Sequence, residues 1–343
     1  MLLKAFENGT MEISAKVSST TRGRIDSIDL LRGFVMMIMA LDHVRDFFHW
    51  SAFHYDPLDF TQTTTAIFLT RWITHFCAPV FVFLAGTSAW LSGFKKGKKR
   101  LSAFLLTRGI WLLFVEVLVM NFAFTFNFHP GSIFLQTIWA LGVSMMALSF
   151  LIYLPKRVIL LLSLAIVFGH NLLDNVHVGG GGFSELGWSM LHESKFLPLH
   201  PVGIFVLYPV LPWIGVMAAG YCFGELYTSL TADNRKKKLI LLGSLCIFLF
   251  IVIRFTNVYG NLGPWEKQKS LVFTILSFIN TTKYPPSLLY SLMTIGPAIL
   301  LLAFLEKPAG RFSKLSLPSE GYRCSITSFT FTSYIPPLLL PAC

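Results

Sequence analysis

DHVRDFFHWSAFHYDPLDFTQTTTAIFLTRWITHFCAPVFVFLAG, residues 42–86, leaves one apolar run, crosses a polar loop and enters a second apolar run. It carries Asp42, His43, Arg45, Asp46, His54, Asp56, Asp59, Arg71 and His75 in a neighbourhood otherwise rich in Phe, Val, Leu and Ala. An ionisable group at membrane depth costs roughly 2.5–3.5 kcal/mol on insertion scales, so a cluster of them marks a candidate functional site. The rest of the chain reads as scaffold, sidedness and access for that cluster.

The 343 residues are 54% hydrophobic and 13% charged, against about 25% charged in a soluble domain. Apolar runs of about 20 residues, each able to cross a ~30 Å hydrocarbon core, recur along the chain. They predict spans near 28–50, 66–93, 101–126, 132–154, 157–175, 205–227, 239–256 and 287–305. A helix satisfies its own backbone in lipid, and the weaker two-residue alternation of a barrel is not seen. The expected fold is an all-α polytopic transmembrane bundle of about eight spans.

The net charge of +11 is concentrated in short connections, notably Lys95, Lys96, Lys98, Lys99 and Arg100, and Arg235 to Lys238. That placement is a topology determinant, not a nucleic-acid footprint. The basic connections alternate with loops poor in Lys and Arg, which predicts a cytoplasmic N-terminus in an inner (plasma) membrane. Loops 51–65, 127–131, 176–204 and 257–286 then face outward, the last despite Lys267, Lys269 and Lys283. Residues 1–24 read as a polar cytoplasmic segment and 25–312 as the membrane domain. The expected partners are the bilayer and a small-molecule or glycan acceptor; homo-oligomerisation is left open.

Cys77, Cys222, Cys246, Cys324 and Cys343 form no CxxC pair and no metal spacing. Residues 1–26 do not resemble a cleavable signal, because the apolar run that follows is too long. Gly179 to Gly182 suggest a hinge or a close backbone approach rather than a phosphate loop. His170, Asp174 and His177 share a helical face, but without a fourth ligand no metal is expected. All the histidines fall in the loops or helix ends assigned to the outer side, which suits proton transfer there.

Two helices each bring His and Arg to similar depth. Asp42 lies about 18 Å above Leu30 at 1.5 Å per residue, just past mid-membrane. Asp42 and Arg45 are i,i+3 neighbours, and Arg71 and His75 are i,i+4 neighbours. One reading is a self-neutralising network that only fixes helix packing. The other is a general base, His43 or His75, oriented by Asp42 or Asp46, with Arg71 facing a developing oxyanion. Cys77 reads as a buried thiol.

IDLLRG (28–33), THFCAPVFVFLAG (74–86), QTIWALG (136–142), YPVLPWIGVMAAGYCFG (208–224) and KYPPSLLYSLMTIGP (283–297) stand in this order. With them the chain resembles the bacterial membrane proteins related to heparan-α-glucosaminide N-acetyltransferase. The resemblance spans roughly residues 25–312. It implies acyl transfer from cytosolic acetyl-CoA, or another acyl-CoA, to an amino sugar or glycan outside. It also implies a catalytic histidine in the first outer loop, here His54. Arg32, Lys95, Lys96, Arg100 and Arg108 at the cytoplasmic rim are the candidate acyl-CoA contacts. His43 and His75 have no obvious counterpart in the family and keep the case made from the residues themselves.

From about Ser316 the apolar pattern gives way to Ser-, Thr- and Pro-rich sequence. With suitable codons, a one-base shift turns 318–336 into an amphipathic aromatic helix. Residues 313–343 therefore read as an out-of-frame tail replacing the native last helix or helices. The rivals to a histidine-dependent acyltransferase are a transporter or channel that uses the same buried charges, and an inactive truncated copy.

Overall fold

The computed structural model describes residues 25–48, 54–127 and 131–306. The tail at 313–343, His49, His129 and the side chain of Asp46 lie outside the described residues. The architecture is all-α. In chain order, α1 is Asp26–Phe48, α2 Thr65–Lys96, α3 Lys98–Ala123, α4 Thr137–Leu151 and α5 Lys156–Leu173. Then follow α6 Phe183–Leu191, α7 Leu211–Phe223, α8 Ala232–Thr256, α9 Leu271–Ile279 and α10 Leu288–Leu305. Each predicted span contains a helix. Among the described residues, five helices (α2, α3, α5, α8 and α10) are long and apolar enough to cross a membrane by length and composition. The chain is a multi-pass membrane protein.

Helix position within the bundle follows from how much of each apolar surface is covered. In the most apolar stretch of α10, 72% of residues are buried inside the protein, against 22% in α5 and in α8. The last two turn Leu161, Leu164, Phe168, Leu241, Leu245, Phe248 and Phe255 outward, as a lipid-facing surface requires.

α2 and α7 run side by side in contact, backbone to backbone. A Cβ on Gly86 would lie 2.0 Å from Met217 O, and one on Gly220 would lie 2.0 Å from Phe83 O. Thr87 Oγ1 donates to Gly220 O at 3.1 Å across the same seam. Small residues that let backbones meet drive helix association in lipid, where apolar burial supplies little. Gly109 of α3 and Gly142 of α4 form a second such contact.

The ends of the bundle differ in chemistry. At the basic end Arg235 pairs with Glu306, Lys156 with Glu225, and Trp90 Nε1 donates to Thr228 Oγ1 at 3.0 Å. The opposite end, here the loop end, carries residues 54–64 and 257–287 together with a three-stranded sheet. β1 Ser132–Leu135 pairs parallel with β3 Gly203–Val206, which pairs antiparallel with β2 Lys195–Leu197.

The sheet corrects two predicted boundaries. Residues 132–135 and 203–206 extend as strands before α4 and α7 begin, although their apolar character reads as continuous with those helices. Apolarity over four residues does not distinguish strand from buried helix. Asn121 settles the matter locally: its Oδ1 accepts from Phe134 N–H at 2.7 Å and its Nδ2 donates to Phe134 O at 3.1 Å. Glu116 Oε1 likewise accepts from Gln136 N–H at 2.6 Å. Two polar side chains of α3's last turns thus occupy the outer edge of β1, where ladder groups would otherwise be unpaired. Gly180, Gly181 and Gly182 have φ of 100°, 72° and 85°, and a Cβ at each would meet nothing within 4 Å. Left-handed backbone, not close approach, explains that run.

Candidate functional site

α2 changes pitch where the site begins. Thr65–Ile73 is α-helical, Thr74–Phe76 tightens to a 3-10 turn, and the α-helix resumes at Cys77. Pro79 has no N–H to give the carbonyl four residues earlier, that of His75. Tyr290 of α10 takes the place of the missing donor, its hydroxyl donating to His75 O at 2.8 Å. The freed carbonyl therefore ties α2 to α10 and fixes the depth of the imidazole. The ring itself is fully buried, edge-on to Tyr290 with 5.5 Å between centroids. Neither its Nδ1 nor its Nε2 has a hydrogen-bond partner among the described residues.

Around it the loop end closes a cavity of about 420 Å³. Arg71, His75, Lys283 and Tyr284 form one part of its wall and Asp56, Leu58, Asp59 and Phe60 of the first loop another; Arg254, Asn261, Gly263, Pro264, Ser277 and Asn280 to Thr282 complete it. Residues 54–64 and 257–287, separate in sequence, therefore share one end of the bundle.

The charges around the cavity are ordered in a chain. Asp42 Oδ1 accepts from Arg45 and lies 3.4 Å from Arg71 Nη1, while Arg45 Nη1 donates to Thr70 O at 3.1 Å. One carboxylate thus serves two guanidinium groups and binds α1 to α2. Lys283 is buried, with its ammonium 5.2 Å from the centroid of Tyr284. Arg254 spends its donors on the protein: Phe278 O at 2.9 Å, Gly263 O at 2.9 Å, Ser277 O at 3.0 Å and Asn280 O at 2.7 Å. It holds the 257–287 connection in place rather than facing a ligand. On the first loop, Asp59 accepts from Thr61 N–H at 2.9 Å and Thr61 Oγ1 at 2.8 Å. The Thr61 backbone and hydroxyl bonds hold the Asp59 carboxyl below its usual range.

The sequence-predicted residues divide accordingly. Arg71 and His75 line the cavity, and Asp42 reaches it through Arg71. His43, partly buried on α1, does not line it. His54 is exposed, two residues before the wall residue Asp56. Cys77 is a buried free thiol that donates to Val35 O at 3.8 Å. At the basic end Lys95, Lys96 and Arg100 are exposed. Lys96 Nζ and Arg108 Cζ each lie 5.5 Å from the centroid of Phe104, so these two cations flank one ring. Arg32 Nη2 donates to Leu84 O at 3.0 Å and to Ser88 Oγ, at the interface of α1 and α2. Arg254 escaped the reading of the sequence, and Lys283 and Tyr284 entered it within the stretch 283–297, without a role for either side chain. The available signal was Lys283, a cation placed against the charge bias of its loop and directly before Tyr-Pro-Pro.

A search among curated proteins gave no match. The family model described as heparan-alpha-glucosaminide N-acetyltransferase, catalytic, matches residues 24–253. That match takes in α1 with Asp42, the His75 turn and the whole first loop, well over half of the chain, and the chain belongs to this family of membrane acetyltransferase-like proteins.

Proposed function

We propose that this protein transfers an acetyl or other acyl group from cytosolic acyl-CoA to an amino sugar or glycan hydroxyl on the extracytoplasmic side, with His75 as the general base. The observation that carries this reading is a buried imidazole whose two nitrogens have no hydrogen-bond partner among the described residues, at the wall of a cavity also lined by Arg71 and Lys283. Once the cavity opens onto the ring, that imidazole takes a proton from the acceptor as it attacks the thioester carbonyl. The tetrahedral oxyanion forms beside Arg71 and Lys283, which face it with fixed positive charge. Collapse breaks the carbon–sulfur bond, and the imidazolium returns its proton to the departing CoA thiolate. Asp42 sets the position of Arg71 rather than hydrogen-bonding the His75 ring. His54, implied by the family resemblance, stands on the loop that forms the cavity wall and is the second candidate for the proton transfer.

CoA itself would be held at the basic end by Lys95, Lys96, Arg100 and Arg108, with Arg32 beside the acyl arm. About 14 Å of helix separates Leu84, Arg32's partner, from His75 at 1.5 Å per residue, so the thioester must enter between α1 and α2. The test is transfer of labelled acetyl from acetyl-CoA to glucosamine by the purified protein in detergent. Turnover that needs both substrates is the expected result. No labelled product from either an amine or a hydroxyl acceptor would refute it.

A further inference from the structure

On the loop end, outside the cavity, three metal-ligating side chains converge from two elements that the sequence keeps apart. His170 opens the last turn of α5, Asp174 follows that helix, and His192 is the residue after α6. Their ligand atoms all lie within 4.8 Å of one another. His170 and His192 are each 2% exposed, and their rings stand 6.0 Å apart between centroids. Both nitrogens of His170 and Nδ1 of His192 lack a hydrogen-bond partner among the described residues. A buried polar atom left unsatisfied is destabilising, so three of them in one place call for a ligand.

The carboxylate is held ready for one. Asn171 Nδ2 donates to Asp174 Oδ2 at 2.8 Å, and Asn171 Oδ1 is itself fixed by the Leu288 N–H at 2.8 Å. Asp174 Oδ1 is thereby aimed at His192 Nε2, 3.1 Å away. A supporting residue that orients a ligating carboxylate is a regular part of metal sites. His177, whose spacing from His170 suggested it as a ligand, instead pairs with Glu193 at 3.2 Å.

We propose that His170, Asp174 and His192 bind a zinc-class divalent ion. Two imidazoles and one carboxylate suit zinc and disfavour calcium or magnesium, which take oxygen ligands. Three protein ligands leave the fourth tetrahedral position for water. The ion joins the end of α5 to the end of α6 and, through Asn171, to the start of α10. It therefore staples the segment 174–206 onto the bundle. None of the three residues lines the cavity, so this site is independent of the proposed acyl transfer.

The full chain in detergent, stripped with chelator, is titrated with Zn²⁺ alone and separately with Co²⁺. The expected result is one Zn²⁺ per chain, lost in His170→Ala and in His192→Ala and retained in His177→Ala. Asn171→Ala should weaken Zn²⁺ binding about 10- to 100-fold as a positioning residue. Co²⁺ in the unmutated chain should show the intense visible bands of a four-coordinate nitrogen and oxygen site. This reading does not depend on the variants folding. A chain that binds no Zn²⁺, Co²⁺ bands of a six-coordinate hydrated ion, or equal loss of Zn²⁺ in His177→Ala would each overturn the proposal.

Discussion

Asp42 on α1 and Arg71 on α2 stand 3.4 Å apart, joined through the same carboxylate oxygen that also receives Arg45. All three side chains are largely buried, at 13%, 16% and 8% exposure. Removing one member of such a group leaves charge without compensation, at about 3–5 kcal/mol. Asp42→Asn is therefore expected to cost about 3 kcal/mol or more in detergent unfolding, with two guanidinium groups losing their partner at once. It should also lower acetyl transfer beyond the fraction unfolded, because Arg71 no longer holds its position.

The α2–α7 seam predicts a contrast between glycines. Gly86→Ala and Gly220→Ala each drive a methyl into a carbonyl oxygen 2.0 Å away. Neither backbone can yield without separating the helices, so each should destabilise by about 1–3 kcal/mol or more. Gly33→Ala on α1, where a Cβ would meet nothing within 4 Å, should be neutral or slightly stabilising. Thermal unfolding of the three variants in one detergent checks the order.

Arg254 supports the cavity through four backbone carbonyls on residues 263–280. Arg254→Met keeps most of the apolar stem and removes every one of those bonds. Its cost should exceed the roughly 1.5–3 kcal/mol of one charged hydrogen bond. Proteolysis should then cut selectively within 257–287.

Glu185 and Lys195 give a pH signature outside the spans. Glu185 accepts from Lys195 at 2.5 Å and from Gly181 N–H at 2.9 Å. The Lys195 hydrogen bond holds the Glu185 carboxyl below its ordinary 4.5 and the Lys195 ammonium above its ordinary 10.5. Glu185's contribution is present above 4.5 and lost as pH falls through its depressed value in the folded protein. Lys195's contribution is present below 10.5 and lost as pH rises through its raised value. The stability difference between the unmutated chain and Glu185→Gln should thus persist at neutral pH and vanish in acid. A difference that grows on acidification would have the wrong sign.

How much of this was legible in the sequence depends on the range of the interaction. Each predicted span contains a helix, and five of these are long and apolar enough to cross a membrane among the described residues, because an apolar run in lipid has one economical backbone solution. Arg71 and His75 were legible together, since i,i+4 spacing on one helix places both at one depth. The partnership of Asp42 with Arg71 was not, because nothing local specifies which side of α1 meets α2. Strands β1 and β3 were hidden inside apolar runs, and their pairing spans the 67 residues of the intervening chain between Leu135 and Gly203. Lys283 looked like an exception to the charge rule until the 257–287 connection folded back over His75. His192 could not be joined to His170 by any periodicity, since a turn, a glycine run and α6 separate them.

Acetyl transfer from labelled acetyl-CoA, measured for His75→Ala, His54→Ala and His43→Ala in the same detergent preparation, bears most directly on the central claim. Loss of a general base costs about 10²–10⁴ in rate. His75→Ala should fall by that much while retaining the unmutated elution profile and Zn²⁺ content, and His43→Ala should stay near the unmutated rate. A His75→Ala protein that still transfers acetyl at the unmutated rate, with activity lost in His54→Ala instead, would contradict the account.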